Sequence, residues 1–375
     1  MIIFSGFAAF ISYMISYQAL FLIVLLSVLL IFNNNLRSKC HWFPILFIAI
    51  TLIIWSVINV YFVGYPHILY AFRTSDNIAS FNLIKFIVKA ISDISAIGGA
   101  TVFAPFLFIG FFEKRLDFIK LGFLLIFAFF SIFFFASDYS HFYKLLFIIF
   151  FLTGAFTTLK IFEILIKSKN KMDIFLSTWY ILFLICIILF LPFGCVRYTI
   201  PLIPPLIILF IKTSKNNFKT EKAFKIFCSL GIIFTLLLGT LVAYADFEYA
   251  GVYRTFARSL ESKYKSKTNN IWFTGEWGFR YYMEDKGYKY LIPVDNSPKE
   301  GDIVVIPTLP CPIALHSDLQ ARLKIIDTTI FHSNFPIRVM NREAHAGFYS
   351  DGWGLLPYSF STVPLETFKI YQVER

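Results

Sequence analysis

The chain has 375 residues, 58% of them hydrophobic, with 48 phenylalanines and a formal charge of +11. A mean hydropathy of +0.69 excludes an ordinary soluble domain, because several runs of about 20 apolar residues could each cross a bilayer as a helix. Residues 1–245 hold 19 of the 34 basic residues and 8 acidic ones, whereas residues 246–375 hold 15 of each. The surplus of positive charge therefore lies in the apolar part of the chain, which points to a membrane face and not to a nucleic-acid partner.

Eight apolar segments are predicted to cross the membrane as helices. They are 11–32, 42–63, 95–112, 118–136, 145–166, 174–194, 199–211 and 224–245. The loops between them form two alternating sets: 33–41, 113–120, 167–173 and 212–225, and 64–94, 137–144 and 195–198. The first set, called the basic loops, carries 13 Lys/Arg and the second only five. The basic loops are therefore predicted to be cytoplasmic, and the second set faces outward.

The same polarity places both Met1 and the residues from 246 onward outside the cytoplasm. An outer N-terminus with no leading targeting segment is explained in one of two ways. The chain is the later part of a longer protein that begins in the cytoplasm, or residues 1–32 contain a helical hairpin.

A membrane domain over residues 1–245 is predicted to be followed by a small extracytoplasmic α/β domain over residues 246–375. Its first element is an amphipathic helix with apolar residues at helical spacing: Tyr249, Val252, Tyr253, Phe256 and Leu260. Strands are predicted at "NIWFTG", "YKYLIP", "GDIVVIPT", "LKIIDTTIF" and "ETFKIYQV", with a helix in "EWGFRYYMEDKG". The alternation of strands and helices predicts a largely parallel sheet.

The stretch "CVRYTIPLIPPLIILF" sets Arg197 and Tyr198 at the outer start of an apolar segment. Pro201, Pro204 and Pro205 have no backbone donor and are predicted to break or kink this span. Backbone freed within a membrane persists only where protein or a watery cavity satisfies it, so the prolines are expected to shape a cavity beside Arg197. A guanidinium at this depth suits a lipid phosphate; the simpler interpretation is an arginine that anchors its helix at the headgroups.

The outer loop 64–93 holds weaker candidates. His67 or Arg73 could contact a phosphate, and Asp76 could bind an acceptor or a metal ion. The simpler interpretation of this loop is an amphipathic interfacial helix with one solvated face.

Three further groups of residues are given structural interpretations. Lys160 and Glu163 lie three residues apart near the cytoplasmic end of a span and are predicted to form an ion pair, not a proton relay. The aromatic residues within 277–282 could stack on a sugar, but helix packing explains them equally well. No cysteine or histidine has metal-ligand spacing, so no metal site is predicted.

A family resemblance rests on four stretches of the chain. "VRYTIPLIPPLIILF" resembles the Arg-Tyr-x-x-Pro-x-x-Pro span late in the membrane domain of bacterial GT-C glycosyltransferases, in the family 39 group related to protein mannosyltransferases and aminoarabinose transferases. "SYQALFLIVLLSVLLIF" is similar to a mid-chain helix of that group. "FTGEWGFRYYMEDKGYKYL" and "AGFYSDGWGLLPYSFSTVPLETFKIYQV" resemble the extracytoplasmic domain of one bacterial branch.

The resemblance implies transfer of a sugar from a polyprenyl-phosphate donor at the outer face of the bacterial inner membrane. The acceptor would be an envelope lipid, glycan or protein. Arg197 would stabilise the leaving phosphate with Tyr198 beside it; no cofactor is evident, although a divalent metal is compatible with the chemistry. The family's outer Asp-Asp or Asp-Glu pair, which supplies the general base, is missing from the loops between the spans, so a separately encoded N-terminal part is expected to provide it.

Two other classes of protein remain open. A non-catalytic membrane subunit would bind lipid phosphate and present its outer domain to a partner, and the missing acidic pair favours it. A transporter would use a broken helix at 201–205, but that class usually carries ionisable residues in mid-membrane and a repeated discontinuous helix. The sequence shows neither feature.

Overall fold

The computed structural model describes residues 42–65, 82–112, 115–264, 270–292, 297–310 and 314–375, together with Leu25, Ser27 and Leu30. The chain divides into two compact units, one of residues 1–137 with 147–232 and the other of residues 138–146 with 233–375. They are called the helical unit and the C-terminal unit below.

Long apolar helices build the helical unit, and the last of them continues into the C-terminal unit. In chain order the helices are α1 (Phe43–Val63), α2 (Leu83–Ala100), α3 (Ala104–Phe111), α4 (Arg115–Phe135), α5 (His141–Lys167), α6 (Lys171–Phe190), a 3-10 helix (Val196–Leu202), α7 (Ile203–Lys215) and α8 (Glu221–Tyr264). Among the described residues, six helices are long and apolar enough to cross a membrane, or seven if α2 and α3 together form one span. The chain therefore has a helical membrane part; the predicted first span, 11–32, falls outside the described residues except for Leu25, Ser27 and Leu30.

The predicted span 95–112 is wrong in its start and in its continuity. α2 begins one residue after Asn82, whose side chain accepts hydrogen bonds from the N–H groups of Ile84 (2.9 Å) and Lys85 (3.3 Å). After a short break, α3 continues at 92° to α2, with Pro105 in its first turn. Apolar residues run through the bend, so hydropathy alone could not separate the two helices.

Two glycines allow α2 and α5 to pack at close range. A Cβ atom added to Gly98 would lie 1.9 Å from the carbonyl oxygen of Phe150, and one added to Gly154 would lie 1.9 Å from that of Ile94. Small residues at a helix crossing let two backbones touch. The buried face of α2 is therefore fixed against α5.

Ion pairs join the ends of four helices in the helical unit. The Lys160 ammonium on α5 lies 3.0 Å from the Asp117 carboxylate on α4, and the Lys212 ammonium on α7 lies 2.6 Å from the Asp173 carboxylate on α6. Because α4 and α6 begin here while α5 and α7 end here, three of the basic loops lie at one end of this unit, as the charge pattern predicts. Lys160, predicted to pair with Glu163 on its own helix, thus has a partner on the neighbouring helix.

A five-stranded sheet forms the centre of the C-terminal unit. The elements after α8 are β1 (Ile271–Phe273), α9 (Trp277–Asp285), β2 (Lys289–Tyr290), β3 (Ile303–Pro307), α10 (Ser317–Ala321), β4 (Leu323–Phe331), β5 (Ile337–Arg338), β6 (Met340–Asn341), β7 (Ala346–Gly347), a 3-10 helix (Asp351–Trp353), β8 (Ser359–Phe360) and β9 (Glu366–Val373). The sheet order is β2-β1-β3-β9-β4. β1 is parallel to β2 and β3, whereas β9 is antiparallel to β3 and β4. The prediction of a largely parallel sheet is wrong, because the last strand of the chain inserts between β3 and β4.

The predicted amphipathic helix is the last part of α8, and its apolar face forms the core of the C-terminal unit. The five residues that predicted it are all buried: Tyr249, Val252, Tyr253, Phe256 and Leu260. The ring of Phe256 stacks on that of Phe368 in β9 at 3.7 Å between centroids. The predicted span 224–245 belongs to the same 44-residue helix, since no proline interrupts the chain between them.

The segment 138–146 packs within the C-terminal unit. The Tyr139 ring stacks on His345 at 3.7 Å, and the Tyr139 hydroxyl accepts a hydrogen bond of 2.9 Å from the Leu355 N–H. Gly354 has φ +155, and a Cβ atom there would lie 2.1 Å from the His345 carbonyl oxygen, so this turn requires glycine. The charge pattern predicts the loop 137–144 and the C-terminal part on the same side of the membrane, and their contact agrees with that prediction.

Candidate functional site

The candidate site lies where α6 is followed by the 3-10 helix and α7. Cys195 is in an extended conformation (φ −154) just before the 3-10 helix. Pro201 lies inside that helix, and Pro204 and Pro205 lie in the first turn of α7. The first four N–H groups of an α-helix have no partner within the helix, so prolines there remove no hydrogen bond and favour the start of a helix.

The prediction that the prolines break the span is therefore refined. The chain changes from a 3-10 to an α-helix between Leu202 and Ile203, without an unwound segment between them. Pro201 is half-buried, Pro204 exposed and Pro205 buried. Their predicted role in shaping a cavity stays a prediction.

Arg197 and Tyr198 lie at the start of the 3-10 helix. The Arg197 side chain is exposed, and its guanidinium carbon lies 5.2 Å from the centroid of the Tyr198 ring. Tyr198 is half-buried and packs on Phe193, with 5.7 Å between the ring centroids. A cation over an aromatic face is attracted by the ring quadrupole. The Arg197 guanidinium thus lies over the ring of Tyr198, and packing on Phe193 fixes that ring.

The backbone beneath Arg197 is held by α2. The buried Lys89 ammonium donates a hydrogen bond of 2.9 Å to the Ile188 carbonyl oxygen and another to that of Leu191. These carbonyl groups at the end of α6 have no intrahelical donors, so the lysine caps the helix and neutralises its negative end. Lys89 therefore fixes the exit of α6 from which the 3-10 helix begins.

A buried carboxylate lies on the next turn of α2. Asp93 has no solvent-exposed surface, and it follows Lys89 by one turn on the same face of α2. α2 also packs against the 3-10 helix that carries Arg197. The Asp93 oxygens are inaccessible to a substrate, so this side chain contributes to packing and is unsuited to be a general base.

The exposed charge of the site is positive. Lys89 and Arg197 outnumber Asp93, and Arg197 is the exposed member of the three. A guanidinium presents planar donors that match two phosphate oxygens. The arrangement is suited to hold a phosphate group where an apolar helix begins.

The three weaker candidates, His67, Arg73 and Asp76, lie outside the described residues. In residues 83–93, the described part of the loop 64–93, the side chains of Lys89 and Asp93 are buried. The interpretation of a solvated polar face is therefore wrong for these two residues. In the parts of the chain that are described, no group of three or more His, Cys, Asp or Glu side chains could hold a metal ion.

The aromatic residues of α9 divide between core and surface. Phe279 is fully buried against Phe368, whereas Trp277 and Tyr281 are exposed. Trp277 lies 5.6 Å from Trp353, measured between ring centroids. Of the four aromatic residues, Phe279 is therefore packing and Tyr282 is half-buried. Contact with a sugar stays a prediction for the exposed Trp277 and Tyr281.

Sequence reasoning did not identify Lys89 and Asp93 as part of the site. A signal was present in "LIKFIVKAISDISAIGG", where Lys85, Lys89 and Asp93 recur every four residues and so share one helix face. Burial of that face depends on the packing of α2 against the end of α6, which no local pattern reveals.

Comparisons with known proteins add no family to this description. No protein-family model, no curated protein and no solved structure matches the chain.

Proposed function

We propose that this chain is a membrane glycosyltransferase of the GT-C type, or a portion of one, that uses a polyprenyl-phosphate sugar and an envelope acceptor. The observation that carries the proposal is the exposed Arg197 guanidinium, positioned by Tyr198 at the start of an apolar span. In this role Arg197 binds the donor phosphate. The envelope acceptor is a lipid, a glycan or a protein.

The chemistry requires a fixed positive charge. When the bond between the sugar and the phosphate breaks, negative charge develops on the leaving phosphate. Donors that are already in place stabilise that charge without reorganisation. Lys89 supports the proposal, because its two bonds to carbonyl groups at the end of α6 hold the backbone that carries Arg197.

The proposal includes a topology. The chain crosses the bacterial inner membrane eight times, with the basic loops in the cytoplasm and the C-terminal unit outside. The clustering of three basic loops at one end of the helical unit supports this orientation. Arg197 then lies at the outer leaflet, where a polyprenyl phosphate presents its headgroup.

One observation favours the alternative of a non-catalytic subunit. Asp93, the carboxyl group on the helix that packs against the site, is too deeply buried to activate an acceptor. A protein that binds lipid phosphate and presents its C-terminal unit to a partner would need only the Arg197 site. Binding and turnover therefore have to be measured separately.

The binding test uses the full chain in nanodiscs of phosphatidylcholine, with a polyprenyl phosphate as the titrated lipid and the matching polyprenol as its uncharged control. Arg197→Ala is expected to weaken binding of the phosphate by at least about tenfold, since a charged hydrogen-bonded contact is lost. Arg197→Lys is expected to be intermediate, because an ammonium cannot bind bidentately. Lys85→Ala removes an exposed charge on α2 and is expected to change binding less than about twofold. Unchanged phosphate binding in Arg197→Ala would contradict the proposed site.

Turnover is tested in membranes from the producing organism, with a polyprenyl-phosphate sugar labelled in the sugar. Release of polyprenyl phosphate that depends on Arg197 supports the transferase. Arg197-dependent binding without release, even with the neighbouring gene products present, supports the subunit.

A further inference from the structure

A second charged site lies at the end of the helical unit where the basic loops meet. It is a cleft of about 380 Å³ between the ends of α3 to α7. Its charged lining consists of four lysines and three carboxylates: Lys120, Lys160, Lys167, Lys212, Asp117, Glu163 and Asp173. The cleft thus combines a concave, partly open volume with one excess positive charge.

Every carboxylate oxygen in the cleft already has a partner. The two Asp117 oxygens lie 2.9 Å from Lys120 and 3.0 Å from Lys160. Of the two Glu163 oxygens, one contacts Lys120 and the other lies 3.4 Å from Lys167. The acceptors that an incoming cation would need are therefore engaged within the protein.

The remaining carboxylate, Asp173, follows the same rule. One of its oxygens lies 2.6 Å from the Lys212 ammonium, and the other accepts a hydrogen bond of 3.1 Å from the Ser168 hydroxyl. Each of the three acids thus has a donor from the protein at both of its carboxylate oxygens.

The lysines, in contrast, have donors to spare. An ammonium carries three N–H groups, and the ion pairs of Lys167 and Lys212 each use one of them. These two side chains are 73% and 52% exposed, whereas Lys160 is only 7% exposed. A ligand entering the cleft would therefore meet exposed cations at the rim and a buried cation at the base.

A simpler explanation for lysines at this end is that they anchor the protein at an anionic membrane surface. It accounts well for Lys222 and Lys225, which are exposed on α8 outside the cleft. It does not account for Lys160, because a buried charge with a cross-helix partner is costly to keep as a mere surface anchor. The pair that Lys160 forms with Asp117 lies instead in the lining of the cleft.

We propose that this cleft binds a phosphate-bearing anion, either the headgroup of a phospholipid or a soluble phosphate compound. The volume can hold a phosphate with a small organic group attached. Lysine is a common point-charge ligand for phosphate. The site is separate from Arg197, and the inference does not depend on the proposed transferase activity.

The test uses the full chain in nanodiscs and separates the two sources of phosphate. In one arm, inorganic pyrophosphate is titrated into nanodiscs of phosphatidylcholine and followed by calorimetry. In the other arm, nanodiscs contain phosphatidic acid, and lipid retained by the protein is counted by native mass spectrometry. Binding in the first arm alone identifies a soluble ligand, and retention in the second alone identifies a lipid headgroup; either result supports the cleft if it depends on the cleft lysines.

The double variant Lys167→Gln/Lys212→Gln is compared with Lys222→Gln/Lys225→Gln, which loses the same charge at the same end. The first is expected to weaken binding at least about tenfold and the second less than about threefold. If the double variant is unstable, Lys167→Gln alone is used, because it removes only an exposed side chain from a 3.4 Å pair. This single variant is expected to weaken binding about threefold or more. Equal losses in the two double variants, or no binding in either arm, would overturn the inference.

Discussion

The Lys160 ammonium lies 3.0 Å from the Asp117 carboxylate, and the two side chains are only 7% and 1% exposed. A buried pair of this kind contributes little compared with an apolar pair of the same shape, but removal of Lys160 leaves one buried Asp117 oxygen without its donor, while Lys120 still pairs with the other oxygen. The stability of the helical unit should therefore be sensitive to the loss of either residue alone.

Lys160→Met is expected to lower the free energy of unfolding by about 1–3 kcal/mol, because one buried Asp117 oxygen loses its donor while Lys120 still pairs with the other. The measurement is unfolding in mixed micelles with increasing denaturing detergent. Lys225→Met is the control, because it breaks a pair with Glu221 whose side chains are 73% and 72% exposed, and it should cost less than about 1 kcal/mol. A Lys160 variant no less stable than this control would show that the buried pair does not hold α4 and α5 together.

The contact between α2 and α5 gives a second prediction. Gly98→Ala would put a Cβ atom 1.9 Å from a backbone oxygen, so the helices must separate, at a cost of about 1–3 kcal/mol or more. Gly122→Ala on α4 is the control, since nothing lies within 4 Å of that Cβ position, and better helix propensity should leave stability equal or higher. Both variants can be compared in the same mixed-micelle assay. Equal stability would mean that the crossing of α2 and α5 is looser than the structure shows.

Much of the fold could be predicted from local patterns. The strands β4 and β9 coincide with the predicted "LKIIDTTIF" and "ETFKIYQV", because apolar alternation bounded by turns marks a half-buried strand. The direction of β9 relative to β3 could not be predicted in this way. Sheet order depends on contacts between distant segments, and the alternation of strands and helices does not reveal that the last strand inserts between β3 and β4.

The candidate site was predicted in part. Arg197 and Tyr198 were identifiable because a cation at the mouth of an apolar, proline-rich segment is unusual in a hydropathy pattern. Lys89 was not, because its role is to cap the end of α6, about 100 residues further along the chain. Hydropathy assigns a lysine in a weakly apolar helix to a solvated face, and only the packing of α2 shows that it is buried.

A buried arginine supports the irregular part of the C-terminal unit. Arg338 donates hydrogen bonds to the carbonyl oxygens of Val363 (2.8 Å), Phe335 (2.6 Å), Ile337 (3.0 Å) and Ser333 (3.1 Å). A lysine ammonium cannot reach four acceptors spread around a planar fork. Buried carbonyl groups that lose a donor each cost about 1–3 kcal/mol.

Arg338→Lys is therefore expected to lower the unfolding free energy of the C-terminal unit by at least about 2 kcal/mol. The exposed Arg342 provides the matched control, and Arg342→Lys should change it by less than about 0.5 kcal/mol. Pulse proteolysis of the full chain in urea and mild detergent measures the unfolding free energy of this unit. If the two variants resist proteolysis equally, the four contacts of Arg338 are not important for stability.

Glu366 is buried at the start of β9. Its carboxylate accepts hydrogen bonds from the N–H groups of Thr367 (2.8 Å) and Thr308 (2.9 Å) and from the Tyr253 hydroxyl (3.3 Å). Burial raises the pKa of Glu366 from 4.5 to about 7, and the hydrogen bonds only partly offset it. This carboxyl therefore titrates near neutral pH in the folded protein.

The sign of the pH dependence follows from that pKa. Between about pH 4.5 and 7 the folded state keeps a proton that the unfolded state releases, so the free energy of unfolding falls as pH rises, by up to about 3 kcal/mol. Burial lowers the pKa of His345, which gives an opposite slope in part of this range, so the contribution of Glu366 must be read from variants.

Glu366→Gln retains an acceptor for the backbone N–H groups and is expected to remove the fall in unfolding free energy that Glu366 causes. Compared with the parent, this variant should therefore gain stability as the pH rises from 5 to 8. Glu374→Gln, at the exposed end of the chain beside Lys324, should keep the slope of the parent. Pulse proteolysis in urea from pH 5 to 8 measures all three proteins, and parallel curves for Glu366→Gln and the parent would show that Glu366 is ionised at the same pH in both states.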